Sequence, residues 1–146
     1  MKKLLFVITL VSFVFACKDK NEPQATNASA KTLTANYWKL DRFTDPNGKM
    51  LSNSDLNSQV QAIFSFDFEF RADNVTRGID RVSKQVVNAG TWYLKDDNKI
   101  LDIQIIGFGG EFKIIELSNT KMILQTENNK MISASSTVNL ELVPSL

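Results

Sequence analysis

The stretch Phe64-Ser65-Phe66-Asp67-Phe68-Glu69-Phe70-Arg71 decides the fold class of this chain. Successive side chains of a β-strand point to opposite faces, so this run places its phenyl rings on one side and Ser65, Asp67, Glu69 and Arg71 on the other. A helix would scatter the same rings around its circumference. The stretch therefore predicts a half-buried strand, one face in a core and the other toward water.

Working outward, Asp73-Asn74 turns the chain, and residues 75–89 show no clean period beyond a strand expected near Val82 to Val87. Gly90-Thr91-Trp92-Tyr93-Leu94 reads as a strand, followed by a hairpin turn at Asp96-Asp97-Asn98. Leu101, Ile103 and Ile105 alternate with Asp102 and Gln104 in the next strand; Gly107-Phe108-Gly109-Gly110 then leads to Phe112 to Leu117. Ser118-Asn119-Thr120 connects to Lys121 to Glu127, Asn128-Asn129-Lys130 opens a looser connection, and Val138, Leu140 and Leu142 mark a last strand that Pro144 stops. Upstream, Tyr37 to Phe43 alternates with Trp38 and Leu40 on one face, Asp45-Pro46-Asn47-Gly48 is a turn, and Ser54 to Val60 suggests a short helix capped by Ser54. About eight short strands at roughly 8–12-residue spacing predict an antiparallel sandwich or barrel, and closure into a barrel would remove the exposed edges of the sheet.

The first residues have a different character. Lys2 and Lys3 precede an almost unbroken apolar run from Leu4 to Phe15, then the small Ala16. That is the layout of a secretory signal, too short to span a bilayer as a helix. Val14-Phe15-Ala16-Cys17 resembles the lipobox of bacterial lipoproteins, which implies cleavage after residue 16, acylation of Cys17 and a membrane partner through that lipid. Residues 17–32 are polar and short of large apolar side chains, and read as a flexible tether between lipid and domain. Lys18 rather than Asp follows the cysteine, and Lys18-Asp19-Lys20-Asn21-Glu22 loosely resembles acidic export tags of surface lipoproteins, which implies the outer membrane. The domain itself is expected over 33–146.

Composition narrows the chemistry. The chain has 146 residues, 17 basic and 16 acidic, with no histidine and Cys17 as its single cysteine. Removing residues 1–16 leaves a net charge of −1, which argues against a nucleic-acid partner. Without histidine or a free thiol, Ser-His and Cys-His nucleophilic sites and histidine-based zinc sites cannot be assembled. No enzyme activity, cofactor or metal is expected.

From Leu33 onward the chain resembles the lipocalin-like domains of small bacterial envelope lipoproteins. The matching pieces are Leu33-Thr34 before Trp38-Lys39-Leu40, the aromatic strand ending in Ala72-Asp73-Asn74, Gly90-Thr91-Trp92-Tyr93-Leu94, Ile100-Leu101-Asp102-Ile103, Phe112 to Ser118, and Met122-Ile123-Leu124. The resemblance implies an up-and-down β-barrel of about eight strands, open at one end. Lipocalins proper carry Gly-x-Trp in the first strand, where this chain has Asn36-Tyr37-Trp38, and an arginine near the last strand, where none follows Arg81 here.

Two readings of the aromatic residues follow. Trp38, Phe64, Phe66, Phe68, Phe70 and Trp92 either fill the barrel as core or line a cavity for a small apolar ligand. The first functional expectation is thus a non-catalytic binding module. The other is an accessory or inhibitor-like lipoprotein that meets a protein or glycan through its outer surface, around Phe108 at an exposed loop tip or the cations Arg71, Arg77, Arg81 and Lys84. Asp67 and Glu69 are expected on a solvated sheet face rather than as an acid–base pair. Asp96-Asp97-Asn98 lacks the acidic spacing of a calcium loop.

Overall fold

The computed structural model describes residues 27–129, 132 and 137–145; Cys17, the signal segment and most of the expected tether lie outside them. Eight strands run through the described residues: β1 (Tyr37–Thr44), β2 (Phe66–Phe70), β3 (Val75–Asp80), β4 (Val86–Lys95), β5 (Ile100–Ile105), β6 (Gly110–Leu117), β7 (Met122–Glu127) and β8 (Thr137–Pro144). Each is antiparallel to the next and β8 returns to pair with β1, so the sheet closes into an up-and-down barrel. The all-β architecture expected from the alternating pattern is the one the chain forms.

Alternation sets the interior. Trp38 opposes Phe68, Phe68 opposes Gly78, Phe70 opposes Thr76, and Trp92 opposes Ile103, all on the inner face. Trp38 and Trp92 are fully buried, and each indole finds an acceptor: Trp38 Nε1 donates to the Leu33 carbonyl at 2.8 Å, Trp92 Nε1 to the Arg71 carbonyl at 2.9 Å. A buried ring of this size contributes several kcal/mol at roughly 25 cal/mol per Å², provided its polar atom is satisfied. In β1 the inward spacing slips from Leu40 to Phe43, because a bulge between Leu40 and Arg42 adds one residue and returns Phe43 to the core.

One end of the barrel is closed by α1 (Ala28–Thr34), which touches β2 and β6 on opposite sides of the ring. At seven residues it would not persist alone. The Asn27 side chain caps it by accepting from Ala30 N at 2.6 Å and ties it to the β4–β5 turn by donating to Asn98 Oδ1 at 3.1 Å. Ala30 and Leu33, three residues apart on one helix face, are buried in the core. Residues 28–32, assigned to the tether from their small and polar composition, are thus folded; the apolar pair spaced for a helix face outweighs that composition. The described residues bury one continuous core inside the closed sheet.

Other boundaries differ from expectation. The short helix expected at Ser54 to Val60 is replaced by two 3₁₀ segments, Asn53–Asp55 and Ser58–Ser65. The second runs through Phe64, so that ring leaves the strand stripe and packs edge-on against Phe43, centroids 5.6 Å apart. The strand expected near Val82 to Val87 is instead the turn between β3 and β4 followed by the start of β4. A missed strand, β3, precedes it: Gly78 and the charged Arg77 hide its alternation, which is visible only once Thr76 and Gly78 are seen to oppose Phe70 and Phe68. The β4–β5 turn holds Asp96, Asp97 and Asn98 at φ of 48°, 52° and 67°, a left-handed run for which Asp and Asn are the best-suited residues after glycine. Among the described residues no Asp/Glu cluster is arranged to hold a metal ion.

A candidate ligand cleft at the open end of the barrel

At the end opposite α1 the barrel holds a cleft of about 390 Å³, open on one side. Its floor is Phe68, Gly78 and Ile105, with Phe66 and Ile63 along one wall. Two features of the backbone create it. First, Gly78 occupies an inward position with no side chain; a Cβ built there meets Ile105 Cδ1 at 3.9 Å and Asn88 Cβ at 4.0 Å, ordinary contact distances. Second, the last β4–β5 pair is Gly90 with Ile105, so residues 86–89 of β4 run past the end of β5 and the barrel wall parts. Asn88 Nδ2 spans that gap to the Ile106 carbonyl at 3.2 Å.

Gly90 has a different role. A Cβ at that position would collide with the backbone carbonyl of Gln104, so glycine there lets β4 and β5 approach where the seam begins.

Phe108 forms the remaining wall. Its ring stacks on Phe112 (centroids 5.5 Å, planes 26° apart) and lies 5.3 Å from Phe68. The expectation of an exposed Phe108 at a loop tip is corrected: Gly107, at φ 82°, turns the loop so that the ring folds back over the mouth and is half-buried.

The expected lining residues divide. Phe66 and Phe68 face the cleft. Trp38, Phe70 and Trp92 do not: they pack beneath α1, with Phe70 edge-on to Trp92 at 6.0 Å. Phe64 packs on Phe43 and is absent from the lining. Those residues belong to the filled half of the barrel, while Gly78, Ile63, Ile105 and Ile106 were not anticipated. A lone glycine at an inward position facing a phenylalanine was the available sign for Gly78. Cys17 lies outside the described residues.

The outer face is more ordered than its polarity suggested. Asp67 is buried, held by Arg81 Nε at 3.0 Å and Lys84 Nζ at 3.8 Å. Glu69 meets Arg77 at 3.6 Å and Arg71 at 4.0 Å, and Arg71 reaches Asp73 at 3.4 Å. The solvated carboxylates and the free cationic patch expected from sequence are therefore one paired network, because long cationic side chains fold over the acids between them. Asp80 accepts from Ser83 N at 2.7 Å, Ser83 Oγ at 2.9 Å and Val82 N at 3.0 Å, and these donors hold its carboxyl below the usual range. On β8, burial alone would raise the Glu141 carboxyl, but Lys121 (3.1 Å), Thr44 (3.1 Å) and Arg42 (3.3 Å) outweigh it and the net shift is downward. Inside the barrel Thr76 Oγ1 is buried without a hydrogen-bond partner.

No protein-family model matches this chain, and no curated protein matches it. Among solved structures it is similar to a lipocalin-like protein from Bacteroides uniformis, at 13% sequence identity and a TM-score of 0.50, over 78% of this chain and 99% of that one. At that identity the likeness speaks for the fold alone, and it agrees with the closed, antiparallel ring of strands. The domain has a lipocalin-like fold.

Proposed function

We propose that this chain is a non-catalytic binding module that takes a small apolar ligand in the cleft at the open end of its barrel. The observation that carries this reading is the cleft itself: about 390 Å³, floored by Phe68, Gly78 and Ile105, within the size range of small-molecule sites. A second hollow beside α1 is larger at about 460 Å³, but its lining mixes Phe70 and Tyr37 with Asn36, Glu69, Arg71 and Asp73, so it is more polar than the cleft. The module acts at a bacterial envelope through lipid on Cys17; the sequence pattern at residues 1–17 supports this, and the tether's first residues favour the outer membrane. Absence of histidine supports a role without acid–base or nucleophilic chemistry.

Residues 18–146, purified from the native host and weighed by native mass spectrometry, should carry an extra mass of a few hundred daltons that is lost on denaturation. The same protein stripped of ligand should bind the apolar dye 1-anilinonaphthalene-8-sulfonate. A bare mass together with no dye binding would overturn the cleft reading. For the anchor, Cys17→Ser should move the protein from the membrane to the soluble envelope fraction; unchanged membrane association would refute lipidation.

A further inference from the structure

The most exposed large apolar side chains among the described residues share one end of the molecule. Val82 is 92% exposed, Ile106 83% and Met50 62%; Val86 and Val87 come next. Met50 stands between β1 and β2, Val82 between β3 and β4, and Ile106 between β5 and β6, so all three lie on connections at the cleft end. Ile106 and Val87 also border the cleft. Water contact on this scale is costly for a valine or isoleucine, and nothing in the barrel's own packing uses these side chains.

Cations accompany them. Lys84, 67% exposed, follows Val82 by two residues in the turn, and the exposed Lys49 precedes Met50; Arg81, beside Val82, is committed to Asp67. Asp67 holds Arg81 at 3.0 Å and stands 3.8 Å from Lys84, whose side chain is still largely exposed, and Asp80 is turned onto the turn's own N–H groups. Apolar tips with neighbouring long cationic side chains suit the boundary between phosphate headgroups and acyl chains, where the tip enters and the cation stays at the phosphates. A protein partner would call for a continuous face of about 800 Å², whereas these tips stand on separate loops around a concave opening.

We infer that this rim docks on a phospholipid bilayer, with Val82, Ile106 and Met50 entering the headgroup boundary and the cleft opening onto the lipid. Reach permits it. On the reading that Cys17 is lipidated, residues 17–26 can span at most roughly 35 Å, while a strand of eight residues rises about 26 Å before the tilt of the barrel shortens it. A chain leaving at Asn27, by α1, is thus long enough for the opposite end to meet the bilayer that holds the anchor. Docking is separate from the anchor, and it does not require an occupied cleft.

The test mixes residues 18–146, which lack the acyl chains, with vesicles of phosphatidylcholine, with and without phosphatidylglycerol, and sediments them. The unsubstituted protein should co-sediment, more strongly with phosphatidylglycerol. Val82→Asp/Ile106→Asp should weaken binding by about tenfold or more, since each tenfold step needs only a small part of the apolar gain from two buried side chains. Both positions are exposed enough for the fold to survive. Ile115→Asp, on the outer face of β6, adds a carboxylate away from the mouth and should bind as the unsubstituted protein does. Protein that stays in the supernatant with both vesicle types, or a mouth variant that sediments undiminished, would overturn the inference. So would self-association without vesicles that the mouth substitutions abolish, which would assign the rim to a second copy. Dye binding is measured without vesicles, so the cleft reading and the docking can each fail alone.

Discussion

Replacing Gly78 with leucine should fill the cleft from its floor. The backbone there needs no positive φ, and the first added carbon meets only Ile105 and Asn88 at ordinary distances. Leaving a strand glycine behind stabilises by roughly 0.5–1 kcal/mol. Burying a leucine side chain contributes roughly 1.5–3 kcal/mol when complete, and about half of that where one side stays open to water. Its lost rotamer freedom costs about 0.5–1 kcal/mol. The balance is a gain of roughly 1–2 kcal/mol, or about 3–8 °C in Tm for a domain of this size. Urea unfolding followed by the fluorescence of the buried Trp38 and Trp92 should show a higher midpoint with an unchanged slope. Dye binding should fall at least about tenfold in the same protein. A stable variant that binds dye as before would place the dye elsewhere, and a loss of stability above about 1 kcal/mol would show that the space beside Ile105 is not available.

Gly90→Ala should behave in the opposite way, losing roughly 3 kcal/mol or more in the same urea assay because its Cβ meets the Gln104 backbone; a change below about 1 kcal/mol would refute the close approach of β4 and β5. Thr76→Val keeps the shape and removes the unpartnered hydroxyl, so calorimetry should find a protein equal to the parent or up to about 2 kcal/mol more stable; a clear loss would point to a hydrogen bond through an ordered water. The Glu141 carboxyl is held below its ordinary value, so its pairing stabilises the fold above about pH 4.3 and is lost as pH falls through the lowered folded value. Glu141→Gln should therefore be less stable than the parent by roughly 1–3 kcal/mol at pH 7, the difference shrinking toward zero in acid; equal stability at pH 7 would refute it.

The aromatic alternation around Phe68 and the strand spacing that follows were enough to determine the all-β class and an antiparallel order, because a period of two has one geometric meaning along a strand. They left sandwich and barrel open; the resemblance to lipocalin-like domains implied the barrel, and the β1–β8 pairing closes it. The turn chemistry of Asp45-Pro46-Asn47-Gly48 and Asp96-Asp97-Asn98 was legible for the same reason: backbone conformation there depends on local residue type. What tertiary structure decided was which inward residues fill space and which leave it. Trp38, Phe70 and Trp92 are as apolar as Phe66 and Phe68, yet the first three lie under α1 and the last two at the cleft, and only the closed ring separates them. Likewise Gly78 and Gly90 are alike in sequence, but one leaves a hollow and the other admits a neighbouring strand. Local pattern assigns a side chain to a face; where along the barrel it lands, and what stands across from it, follows from residues distant in the chain.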